Sequence, residues 1–142
     1  MKRKLPYLFI IPLIAIAACE PKNNTTVVPL PAGNFSGQFI IIHLNSKTGL
    51  RDTAIANINL SLSTATGYKV TGDTTKIQAG SYGDYAENSQ YITFADKTVA
   101  ATPTNNKYHL NGTYQYVYDG SNFEFALGSD TIGYTYILKT NP

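Results

Sequence analysis

Few side chains in this 142-residue chain could carry a reaction. Ser81 sits in Ala79-Gly80-Ser81-Tyr82-Gly83, a spacing close to the tight turn that presents a serine nucleophile. That turn needs a strand before it and a helix after it. The residues past Gly83 alternate as a strand does, so Gly80 and Gly83 are expected to mark a bulge or bend, and Ser81 to be structural. His43 and His109 are the only histidines and lie far apart in the chain. A zinc site needs three or four convergent ligands, so the pair is expected to serve as hydrogen-bonded polar residues. Asp52, Asp73, Glu87, Asp96, Asp119 and Asp130 are expected in turns and loops, and none has calcium-loop spacing. No catalytic residue and no metal site is expected. The chain reads as non-enzymatic.

The one remaining reactive group is the thiol of Cys19, the only cysteine. A basic Lys2-Arg3-Lys4 is followed by an apolar run, Leu5 to Ile16, broken by Pro6 and Pro12. The run is shorter than the ~20 residues a spanning helix needs and has the length of a secretion-signal core. It ends in Ile16-Ala17-Ala18-Cys19, which resembles the lipobox of bacterial lipoproteins. The resemblance implies a signal over 1–18, a diacylglyceryl group on the Cys19 thiol, and cleavage that frees an α-amine for a further acyl chain such as palmitate. Two or three acyl chains anchor a protein stably where one does not. No cofactor is expected beyond that covalent lipid on Cys19.

Past the signal, eight Lys and Arg oppose nine Asp and Glu. A near-neutral chain offers no electrostatic reason to bind nucleic acid. With no second cysteine there is no disulfide, so the domain relies on its own core. Residues 19–32 carry the lipid and three prolines in a polar run, which suits a tether. Residues 33–142 are of a length for one domain.

Short alternating runs separated by Gly, Asn and Asp turns predict an all-β domain of about eight strands: 35–44, 54–63, 67–72, 77–85, 89–95, 107–118, 121–128 and 131–139. A short loop at 64–66 would pair Leu62 with Tyr68 and Leu60 with Val70. Asp119-Gly120 reads as a two-residue type I′ turn. It would pair Tyr116 with Phe123 and Tyr114 with Phe125. A turn on Ser129-Asp130 would pair Phe125 with Tyr134, Phe123 with Tyr136, and Leu127 with Ile132. Both turns put the aromatics on one face and Gln115, Glu124 and Thr135 on the other. An antiparallel meander with one apolar face is expected to close into an up-and-down barrel, with a two-sheet β-sandwich as the alternative. The longer connections, 45–52 and 96–106, suit barrel-mouth loops or Greek-key crossings.

On these features the chain resembles the small lipocalin-like lipoproteins of Bacteroidetes-type bacteria. Lipocalins open their first strand with Gly-x-Trp, whose ring closes the barrel floor. Gly33-Asn34-Phe35 occupies that place here, with Gly37-Gln38-Phe39 just after it. The resemblance is one of fold, and fold alone does not fix function.

Tyr108, Tyr114, Tyr116, Phe123, Phe125, Tyr134 and Tyr136 would face the interior. A buried tyrosine needs a partner for its hydroxyl, so this face is either the lining of a cavity for a small amphipathic ligand or a filled core whose hydroxyls reach backbone carbonyls. Asp52-Thr53-Ala54, Asp73-Thr74-Thr75 and Asp130-Thr131-Ile132 resemble the sites at which Bacteroidetes O-glycosylate exported proteins, which would make Thr53, Thr74 and Thr131 acceptors. Turn chemistry followed by strand propensity also explains the pattern.

Two functions follow as expectations. One is a membrane-anchored module holding an amphipathic ligand in a tyrosine-lined barrel. The other is a structural or assembly lipoprotein that contacts another envelope protein through its loops or outer face. Either places the chain in the cell envelope, on the outer membrane. Glu20-Pro21-Lys22-Asn23-Asn24 has a single acid where surface-exposed lipoproteins carry an acidic tract, and periplasmic and outward orientations both stay open.

Overall fold

The computed structural model describes residues 29–98 and 107–141. The expected signal, Cys19 and most of the tether fall outside them. The described chain forms eight strands: β1 Gly33–Leu44, β2 Arg51–Ser63, β3 Gly67–Gly72, β4 Tyr82–Glu87, β5 Tyr91–Asp96, β6 Gly112–Tyr118, β7 Asn122–Gly128 and β8 Ile132–Thr140. Each pairs antiparallel with the next, and β8 returns to β1 to close a barrel. No helix occurs among the described residues. The architecture is the up-and-down barrel expected of a lipocalin-like chain, and closure excludes the sandwich.

Strand alternation builds the core. β1 turns Phe35, Phe39 and Ile41 inward and β2 turns Ala56, Ile58, Leu60 and Leu62 inward, all essentially inaccessible. Phe94 and Ile92 from β5 and Phe123 and Phe125 from β7 complete the filling. Phe35, in the Gly-x-Phe segment, packs at 5.1 Å from Phe123 and 5.9 Å from Tyr118, at the end where the chain enters.

Alternating strand directions sort the connections. The turns at 64–66, 88–90 and 119–121 share the entry end with Gly33 and Thr140, while 45–50, 73–81, 129–131 and the described ends of the β5–β6 connection, 97–98 and 107–111, gather at the far end. The far end therefore carries the three longest connections.

The β2–β3 hairpin has the expected register, with Leu62 opposite Tyr68 and Leu60 opposite Val70. The last two hairpins differ. Tyr116 lies opposite Phe125 and Tyr118 opposite Phe123, not Tyr116 opposite Phe123. The turn is centred on Gly120-Ser121: the Asp119 amide donates to the Asn122 carbonyl at 3.2 Å. The Asp119 carboxylate accepts the amides of Ser121 at 2.8 Å and Asn122 at 2.6 Å. Asp119 thus sits before the turn as its carboxylate acceptor, and Gly120 alone takes a positive φ, 95°, the arrangement with glycine first. β7 and β8 likewise pair Phe125 with Tyr136, Phe123 with Leu138 and Leu127 with Tyr134, because Ser129 donates to the Ile132 carbonyl at 2.8 Å and the turn falls on Asp130-Thr131. Both corrections are shifts of two residues, which change partners and preserve the face.

Two strands begin five residues later than expected, β4 at Tyr82 and β6 at Gly112. The segments around Gln78 and Tyr108 meet in an isolated parallel bridge, and β4 and β6 start after Gly80 and at Gly112, whose positive φ values of 71° and 100° interrupt the extended chain. The acids also divide. Asp73, Asp119 and Asp130 lie in turns, whereas Asp52 lies within β2, and Glu87 and Asp96 end β4 and β5.

Candidate functional site

The seven aromatic residues expected on one face do share the interior, in two groups. Tyr114, Tyr116, Phe123, Phe125 and Tyr136 are core residues, while Tyr108 and Tyr134 are half-buried against them. The core rings are in mutual contact: Phe125 stacks on Tyr136 at 4.4 Å, Phe39 lies 4.7 Å from Tyr136, and Tyr114 meets Phe125 edge-on at 5.4 Å. Such rings fill the section of barrel they occupy.

Their hydroxyls are satisfied mainly by backbone. Tyr116 donates to the Asn88 carbonyl at 2.6 Å and Tyr114 to the Asn111 carbonyl at 3.2 Å. Tyr68, which also lies in the core, donates to the Leu110 carbonyl at 2.5 Å. Burial pushes the Tyr114 hydroxyl up to about 12 and Tyr136 well above its ordinary value. These phenols are neutral hydrogen-bonding groups at physiological pH.

Tyr136 receives its bond from Gln78, whose Nε2 donates at 3.1 Å. Gln78 is fully buried and belongs to a plug across the far mouth. The Ala79 amide donates to the Tyr108 carbonyl at 2.9 Å and the Tyr108 amide to the Ile77 carbonyl at 2.8 Å. Leu110, also fully buried, seats beside them. Ser81 anchors this plug, its Oγ accepting the Leu110 amide at 3.2 Å. It is buried, and a strand rather than a helix follows it.

The histidines serve separate contacts. His43 was in phase with Phe39 and Ile41 but is exposed at the far end of β1, where its Nε2 lies 3.2 Å from the Tyr108 hydroxyl. His109 Nδ1 lies 2.8 Å from Asp96 Oδ2, and Thr98 Oγ1 donates to Asp96 Oδ1 at 2.6 Å. This clasp joins the two ends of the β5–β6 connection. Among the described residues no three His, Cys, Asp or Glu side chains converge to hold a metal ion.

The far rim gathers His43, Tyr108 and Tyr134, with the two tyrosine rings 5.3 Å apart. Of the three threonines in Asp-Thr pairs, Thr53 on β2 and Thr131 in the last turn are exposed, and Thr74 is half-buried.

Sequence reading did not single out Gln78 or Tyr85, and it placed Glu87 only among the acids of turns and loops. Gln78 lay inside an expected strand, and nothing local marks it as a plug. Tyr85 and Glu87 line a cleft of about 730 Å³ beside the 63–67 turn, and Tyr85 Oη and Glu87 Oε2 are buried without a hydrogen-bond partner among the described residues. Their phase within β4, inward like Gly83, was the available signal. Across the whole chain, no protein-family model, no curated protein and no solved structure matches.

Proposed function

We propose that this chain is a non-enzymatic lipoprotein of the cell envelope, anchored to the outer membrane through lipid on Cys19, whose barrel presents its far-end connections to another envelope protein. The observation that carries the reading is polarity. β1 begins at the end opposite the connections 45–50, 73–81 and 97–111, so an anchor preceding Gly33 leaves those connections facing away from the membrane. The filled interior supports an outward-facing role over an internal ligand, since a ligand there would have to displace rings packed 4.4–5.4 Å apart. The lipid anchor rests on the lipobox-like Ile16-Ala17-Ala18-Cys19, and membership of the lipocalin-like lipoproteins rests on that motif together with the barrel.

A photo-crosslinking amino acid at Lys47 or Lys76, introduced in the native host, tests this reading. One discrete adduct from these positions, absent for the same group at Asn122 on the entry end, is expected. Equal labelling from both ends overturns it. In the same cells Cys19→Ser is expected to move the chain from the membrane to the soluble fraction.

A second reading has its own support at the rim. Tyr108 and Tyr134 are half-buried and His43 is exposed beside them, a small aromatic surface able to take an amphipathic molecule. Native mass spectrometry of the domain released from its own membrane by cleavage in the 20–32 tether separates the readings: a mass excess lost on denaturation supports a ligand, and one that survives supports glycosylation at Thr53, Thr74 or Thr131.

A further inference from the structure

The barrel closes with one weak seam. β3 pairs with β4 only through Tyr68–Gly83 and Lys69–Tyr82, with one further bond from the Val70 amide to the Ser81 carbonyl at 2.7 Å. β3 begins at Gly67, and the chain before it turns away through Thr64–Thr66. β4 continues to Glu87, so among the described residues Tyr85–Glu87 has a strand partner on the β5 side alone.

Ladder alternation gives the direction of the unpaired groups. The Ser81 carbonyl is bonded to β3, and the Tyr82 carbonyl accepts the Lys97 amide on the β5 side at 2.9 Å. Odd-numbered residues of β4 therefore direct their main-chain N–H and C=O toward β3, and those of Tyr85 and Glu87 point into the gap. The cleft there is lined by Asp84 and Ala86, which face outward, as well as by inward-facing Tyr85 and Glu87.

The slot also has a charge requirement. Of its charged lining residues, Lys97 is paired with Asp84 at 2.7 Å, while one Glu87 oxygen has no partner. That leaves one unneutralised acid. Side chains directly opposite on neighbouring strands share a face and touch, so a cationic residue on an added strand opposite Glu87 would point toward its carboxylate. We propose that the slot between the 63–67 turn and the free edge of β4 binds an extended peptide segment, added as a short strand with a lysine or arginine against Glu87. Strand addition of this kind takes its affinity from main-chain hydrogen bonds and its selectivity from the pocketed side chain. The site lies on the barrel wall toward the entry end and is independent of the far-end contact proposed above.

The probe is the blocked pentapeptide acetyl-Thr-Val-Arg-Val-Thr-amide, titrated into the full chain and followed by amide NMR and calorimetry. Shifts confined to Thr64–Gly67 and Tyr85–Glu87 are expected, with affinity falling about tenfold or more for Glu87→Gln and for a peptide with Glu in place of Arg. A peptide N-methylated on its main chain is expected not to bind. Folding does not confound the variant, because Gln has the shape of Glu and removes a charge that burial disfavours. Equal binding of the methylated peptide, shifts elsewhere, or no binding overturns the proposal. Slow hydrogen exchange at Tyr85 and Glu87 without peptide also overturns it, since the edge would then already be filled.

Discussion

The wall formed by β8, β1 and β2 and the seam between β3 and β4 belong to one barrel but are held in different ways. β1 is paired over its whole length with β2, and from Phe35 to His43 with β8. It also buries Phe35, Phe39 and Ile41 beneath that ladder. The seam has two register pairs, a turn that veers off, and two buried polar atoms without partners. In the wall, main-chain pairing and apolar burial reinforce each other. At the seam the pairing stops while inward-facing polar groups continue, and orphaned groups cost stability. The proposed peptide slot thus lies away from the best-paired wall, as expected where interaction sites are drawn from the less stable parts of a fold.

Emptying the wall is expected to have the largest effect. Phe39 is fully buried against Tyr136, and Phe39→Ala should cost about 3–5 kcal/mol, read from urea unfolding. No comparable loss is expected from Tyr85→Phe at the seam, which removes an unpartnered hydroxyl and should leave stability unchanged or raised.

Backbone approach gives the next largest contrast. A Cβ at Gly37 would lie 2.1 Å from the Ile137 carbonyl oxygen, whereas one at Gly133 meets nothing within 4 Å. Gly37→Ala should therefore push β1 off β8 at a cost of about 2 kcal/mol or more, and Gly133→Ala should stay within about 0.5 kcal/mol.

The pH dependence of Glu87 sharpens the seam. Burial raises its carboxyl above the ordinary 4.5, so the charged form opposes folding at neutral pH. Glu87→Gln should be more stable than the parent at pH 7. Its advantage should fade as pH falls through the raised value and vanish below about 4.5, measured by thermal unfolding across pH.

Asp119 provides the smallest effect, with the opposite sign. Hydrogen bonds from Asn122 and the Ser121 and Asn122 amides hold its carboxyl at about 2 rather than 3.8. Its stabilisation is complete above 3.8 and is lost as pH falls through about 2. Asp119→Ala should be less stable than the parent at neutral pH, and the gap should close toward pH 2.

These comparisons mark how far local information reaches. Which face each strand buries was legible in the sequence, because period-2 alternation acts within a single strand. Tyr114, Tyr116, Phe123, Phe125 and Tyr136 went inside for that reason. Hairpin partners were less legible. Asp119-Gly120 and Ser129-Asp130 each permit turns centred one residue apart, and the choice was made by hydrogen bonds that the Asp119 carboxylate accepts and the Ser129 amide donates. Because the error was even, the face survived and the partners did not.

The sequence by itself therefore determined an all-β domain, its inward residues and a lipobox-like Cys19. It did so because alternation, turn residues and motif spacing are properties of neighbouring residues. Tertiary structure alone decided that Gln78 and Leu110 plug the far mouth and that β3 stops short of Tyr85 and Glu87, while it bore out the expected closure of β8 on β1 over the sandwich. Each of these depends on segments distant in the chain meeting at one place, where strand length, twist and the need to partner buried polar groups are settled together.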